Sequence, residues 1–218
     1  MRTNIGKSLA ASAMALTIVG GLSTTAFAET GEPAPPGDAV IQPGPPVEMD
    51  ESGFVPAPAE EAELPPASKP SDSPNAEHCT PKNVYRATAN HGRRLAGIGA
   101  TQSNYNATSR TARSWFKARA GGEVTLKVSG ELKVSANSLI GTIEATYNVG
   151  LEPKIYAEIG NEMQVDTPPH KTTNGKYGVW RLYNSGVSYT IYSNCQTSAK
   201  STVTSLTPWY VGWHLWES

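Results

Sequence analysis

The chain has 218 residues, is 38% hydrophobic and carries a formal charge of −1 at pH 7. Beyond the first 28 residues no segment approaches the roughly 20 consecutive apolar residues that a spanning helix needs. The two cysteines have no neighbouring His or Cys to complete a ligand set, which argues against a metal centre.

The amino terminus reads as an export signal. Arg2 and Lys7 flank the start of an apolar or small run from Leu9 to Leu22, and Ala26-Phe27-Ala28 is the small-x-small pattern of a signal peptidase site. Residues 1–28 are therefore expected to be cleaved off before Glu29. The apolar run, about 14 residues, is short for a retained anchor. The mature protein is expected to be secreted and extracellular.

Residues 29–76 change composition abruptly, with twelve prolines and ten acidic residues against one cation, Lys69. Proline removes backbone donors and like charges repel, so this segment is expected to be a disordered acidic linker: a spacer, a solubiliser or a removable pro-segment. Residues 77–218 are the opposite in charge. Fifteen Lys and Arg face nine Asp and Glu, a balance of about +6 hidden by the near-neutral total. Arg86, Arg93, Arg94, Arg110, Arg113, Lys117 and Arg119 form the expected basic face. An acidic arm on a basic domain could fold back and screen it, or the basic face could simply be solvated.

Cys79 and Cys195 are expected to pair in an oxidising compartment and to close nearly the whole folded region. Within it, Val84 to Arg119 is poorly patterned, with turn-forming Asn90, Gly92, Gly97 and Gly99. Val124, Leu126, Val128, Leu132 and Val134 then alternate with polar residues, the period of a half-buried strand, and Gly130 suggests a bend. After Gly141 the apolar parity flips to Ile143, Ala145, Tyr147, Val149 and Leu151, which requires a turn or an inserted residue. Between them, Ala136, Ile140, Ile143 and Tyr147 also fit a short helix.

Lys154 to Ile159 and Met163 to Asp166 read as strands, the second broken by Pro168-Pro169. Asn174-Gly175 reads as a turn, and Asn184-Ser185-Gly186 as the turn of a hairpin joining residues 177–183 and 187–192. Lys200 to Leu206 is strand-like, and an aromatic tail closes the chain. The expectation is an all-β, β-dominated fold: an elongated antiparallel sheet domain with at most one short helix, preceded by the disordered arm.

No catalytic constellation emerges. His78, His91, His170 and His214 are scattered, and no phosphate cradle, nucleophile elbow or zinc signature is present. Glu144 and Glu158 could face each other as a carboxylate pair, but alternation favours them as polar sheet positions. The chain is expected to be no enzyme and to need no cofactor or metal. Two features point to binding instead. Trp209, Tyr210, Trp213 and Trp216 could form an aromatic platform that stacks on sugar rings or sits at a membrane interface. Residues 123–151, as two alternating segments, could supply a membrane hairpin that contacts lipid through Ile140, Ile143 and Tyr147.

The stretch Asn106-Ala107-Thr108-Ser109, the turn Thr167-Pro168-Pro169 before Asn174-Gly175-Lys176-Tyr177-Gly178, and the ending Trp209-Tyr210-Val211-Gly212-Trp213 look like uncharacterised secreted β-rich proteins of actinobacteria. More distantly, residues 104–195 resemble the β-rich core of aerolysin and epsilon-toxin type pore formers. That resemblance implies that Ser129 to Leu151 inserts and that the protein oligomerises on a membrane. The partner is expected to be a cell surface, a membrane or a polysaccharide, and not a nucleic acid. The alternative to a membrane-interacting protein is a carbohydrate- or cell-wall-binding β module working through its C-terminal aromatics.

Overall fold

Two long strands, Thr172–Ile191 and Ser201–Glu217, pair antiparallel over nearly their whole lengths and organise the rest of the chain. The structure, a computed structural model, describes residues 41–66 and 78–218. In chain order its elements are β1 (Ile41–Gln42), β2 (Val55–Pro56), β3 (Lys82–Gly97), β4 (Gln102–Tyr105), β5 (Ala112–Lys117), β6 (Gly122–Thr125), β7 (Lys127–Ser129), α1 (Ala136–Tyr147), β8 (Lys154–Ala157), β9 (Glu162–Thr167), β10 (Thr172–Ile191) and β11 (Ser201–Glu217). The main sheet runs β2-β7-β11-β10-β3, with β4 antiparallel to β10 and β1 parallel to β11. β5 pairs with β9, and β6 with β8, as two smaller antiparallel ladders. The fold is thus β-dominated and mainly antiparallel with one short helix. The expected signal peptide, and residues 29–40 and 67–76 of the expected arm, lie outside the described residues.

Two apolar clusters hold these parts together. In one, Leu139, Ile140 and Ile143 of α1 pack against Tyr85, Leu126, Val128, Leu182 and Val203. In the other, Phe116 of β5 meets Tyr177, Val179, Trp213 and Leu215 of the central pair. The staple is present: Cys79 and Cys195 are bonded, with Cα atoms 5.1 Å apart across 116 positions of sequence.

Several elements depart from expectation. The alternation over residues 124–134 survives as a buried set (Leu126, Val128, Val134), but the strand is split into β6 and β7, which pair with different partners. At Gly130 φ is +99°, and a Cβ there would lie 2.2 Å from the Thr202 carbonyl oxygen, so the bend needs glycine. Residues 136–147 are helical. Ser135 caps the helix by accepting the Ser138 N–H, and Asn148 ends it at a left-handed φ of 52°. Ile140 and Ile143 are core residues and Tyr147 packs against the same core, so the expected lipid-contacting set belongs to the interior of this fold.

Neither expected turn in β10 exists. Asn174 and Gly175 pair with β11 on one side and with β4 on the other. Asn174 is satisfied in the sheet, accepting from the Ser103 hydroxyl and donating to that of Ser218. Asn184 is fully buried, accepts from the Tyr85 hydroxyl at 2.6 Å and donates to the Ala89 carbonyl. Polar turn-formers here are the polar core of a central strand.

Most of the 16-residue β3 falls in the poorly patterned stretch, and its register against β10 shifts twice. Those shifts scramble the alternation that would have revealed it.

The acidic arm is also not a free spacer throughout. Residues 41–66 lie on the domain: β1 pairs with Leu215–Trp216, and β2 pairs with β7. Ala62 N–H donates to the Lys133 carbonyl, and Pro58 accepts from Ala136 N–H. Unpaired sheet edges offer backbone partners that an isolated proline-rich segment lacks, and this offsets the cost of ordering it.

Candidate binding surfaces

The basic residues are distributed over several elements. Arg86, Arg93 and Arg94 sit on β3 of the main sheet, Arg113 and Lys117 on β5, and Arg110 and Arg119 in exposed loops. Arg113 and Lys117 are already paired across the ladder, with Asp166 (3.5 Å) and Glu162 (2.6 Å). Arg93 and Arg94 lie instead over rings, 5.5 Å from the Trp180 centroid and 5.6 Å from that of Tyr183. Arg93 also donates to the Tyr210 hydroxyl at 2.7 Å.

The C-terminal aromatics divide likewise. Trp213 is 8% exposed, packs on Phe116 and Tyr177, and donates to Asn161 Oδ1. It is a core residue, which corrects its expected place on a platform. Trp209 packs against the α1 core. Tyr210 and Trp216 join a half-buried row, Tyr210–Trp180–His214–Trp216, with neighbouring centroids 5.6–6.3 Å apart. Gly212 lets the Trp180 indole lie close over β11, since a Cβ there would meet it at 3.2 Å.

This row is strapped by the acidic segment. His214 Nε2 and the Gly44 carbonyl oxygen are 2.8 Å apart, and residues 42–47 with Trp180, Arg93 and Arg94 enclose about 340 Å³. Further along, the Glu51 carboxylate accepts from Lys127 Nζ at 2.8 Å and from Arg181 Nη2. The Arg181 side chain is only 3% exposed. The guanidinium bonded to it holds the Glu51 carboxyl below the ordinary 4.5, against the opposing effect of burial. An adjoining cavity of about 390 Å³ is lined by Glu51, Arg181, Lys127 and Lys176.

Two solvent-facing rings that lie together were not among the expected site residues. Tyr105 at the end of β4 is 64% exposed and Trp115 on β5 is 59% exposed. With Asn104, Arg113 and the 106–108 loop they border an open cleft of about 470 Å³. Its frame is internally bonded. Buried Asn106 places its amide nitrogen 2.7–3.1 Å from the carbonyls of Arg110, Thr167 and Pro168, while its oxygen accepts from Thr108. Asn104 donates to the Trp115 carbonyl, tying β4 to β5. Below, Ser114, Thr167 and Thr173 form a buried hydroxyl chain that fixes the ladder to β10. The signal for Trp115 was present in the alternation of Arg113, Trp115 and Lys117 against Ser114 and Phe116, which puts the indole on the charged side.

The Glu144 carboxylate accepts the Leu151 N–H beyond α1, while Glu158 is exposed and its backbone carbonyl accepts from the Tyr177 hydroxyl. No protein-family model matches this chain, and no curated protein matches its sequence.

Proposed function

We propose that this is a secreted, non-enzymatic surface-binding protein that docks on polysaccharide through the Tyr105–Trp115 cleft. The observation that carries the reading is a pair of solvent-facing rings held on an internally bonded frame, with planar polar groups beside them. Flat rings stack on the C–H faces of sugars, and Arg113, Asn104 and Gln164 (opposite Trp115 in the ladder) offer hydrogen bonds to hydroxyls. Burying the Arg113–Asp166 and Lys117–Glu162 pairs in lipid would be costly, which favours a hydrated polymer over a bilayer at this face. Pull-down and titration on peptidoglycan, chitin and cellulose test it. Trp115→Ala and Tyr105→Ala are each expected to weaken binding up to about tenfold, from a stacking contribution near 1.5 kcal/mol. Retention of both variants at the level of the parent protein removes the reading.

A membrane reading is favoured by one separate observation. Tyr156 and Ile159 are 60% and 67% exposed on the segment that hydrogen-bonds to the 118–121 loop carrying Arg119. Binding to anionic liposomes lost in Ile159→Asp supports it. Insertion of residues 129–151, as in an aerolysin-like pore, requires α1 to leave a core in which Ile143 is fully buried. Dye leakage abolished by Ile143→Asp and Tyr147→Asp in a folded protein is the result that pore formation demands.

A further inference from the structure

We propose that the cavity beneath residues 46–51 is an anion-binding site for an extended polymer bearing carboxylate or phosphate groups, and that Glu51 is its tethered occupant. Arg181 is 2% exposed, yet among the described residues its Nε has no hydrogen-bond partner. A guanidinium binds an oxyanion best through two parallel N–H bonds. Glu51 uses only one: Oε1 meets Nη2, and Oε2 is drawn away to Lys127. The strap therefore occupies the site without saturating it. A carboxylate or phosphate lying along the guanidinium edge engages Nε and Nη2 together and keeps Lys127 within reach.

Lys176 lines this cavity together with Glu48 and Glu123, so the excess of cations lies toward the neighbouring cleft. The adjoining cavity shares Pro46, Val47 and Leu95 with it and carries Arg93 and Arg94. The strap and the sheet border two clefts of about 390 Å³ and 340 Å³, which leave room for an extended chain. The cations thus continue from Lys127 and Arg181 to Arg93 and Arg94. A polyanion long enough to pass Arg93 and Arg94 as well gains contacts beyond the two, to Arg181 and Lys127, that Glu51 makes. The site is independent of the Tyr105–Trp115 cleft.

The full-length protein is titrated with polyphosphate and, separately, with poly-glutamate, reading tryptophan fluorescence and backbone hydrogen exchange. Binding of either polymer is expected to speed exchange in residues 41–56 while β11 stays protected, because the polymer displaces Glu51. Glu51→Gln is expected to tighten binding about tenfold, and Arg181→Gln to abolish it, with Trp115→Ala unchanged. A response to one polymer alone identifies phosphate or carboxylate as the preferred group. The proposal falls if neither polymer binds, if binding leaves 41–56 fully protected, or if Arg181→Gln binds as the parent does. Should Glu51→Gln not fold, the exchange measurement on the unmodified protein decides.

Discussion

At neutral pH the Glu51 carboxylate is shared by Arg181 and Lys127, and its depressed pKa links the strap to acidity. A carboxyl with a lowered folded-state pKa stabilises the fold fully above its unfolded value, here 4.5, and progressively loses that contribution as the pH drops through the lowered value. Exchange of residues 41–56 is therefore expected to accelerate below pH 4.5, ahead of the central strands. Glu48 and Glu123 line the same cavity, so the Glu51→Gln variant isolates the effect: its strap should open at neutral pH and respond less to acid. Removing one partner of a buried pair costs about 3–5 kcal/mol, and the 27% exposure of Glu51 places the expected loss near 2–3 kcal/mol in urea unfolding. Tyr85 acts at the other extreme. Burial pushes its hydroxyl up to about 12, so the stability it contributes below pH 10 should decline from pH 10 upward.

For α1 the competing readings were both visible in its residues. Thr142, Thr146 and the β-branched Ile143 suit a strand, but in the helix the two threonine hydroxyls donate to the carbonyls of Ser138 and Thr142, at 2.9 and 2.7 Å. The Ser135 cap and the burial of Leu139, Ile140 and Ile143 on one stripe tip the balance. Ser135→Ala is expected to lower stability by about 1 kcal/mol, and Ile143→Ala by about 2–5 kcal/mol, measured as shifts in the urea midpoint. In β10, Asn174-Gly175 and Asn184-Ser185-Gly186 carry turn residues because the buried sheet needs their small size or amide groups. Local turn preference loses once strands on both sides satisfy the backbone.

For the whole molecule, the Cys79–Cys195 bridge closes a loop spanning 116 positions around the sheet. Chain entropy assigns such a closure about 4–5 kcal/mol. The double variant Cys79→Ser, Cys195→Ser, or the reduced protein, should unfold at correspondingly lower urea, with the β-sheet signal of the folded state retained. Loss of less than about 1 kcal/mol would mean that the bond does little to restrict the unfolded chain.

Composition and spacing alone determined the β-rich class, the pairing of the two cysteines and the opposition of an acidic arm to a basic domain. These follow from residue counts and period-two patterns, which do not depend on which strand lies beside which. Tertiary structure decided the rest: that part of the arm docks along β11 and β7, that Trp213 is interior while Tyr105 and Trp115 face water, and that Arg181 meets Glu51 130 positions away. Exposure and long-range pairing are set by neighbours brought together only on folding. A long strand with shifting register, such as β3, hides them from any local pattern.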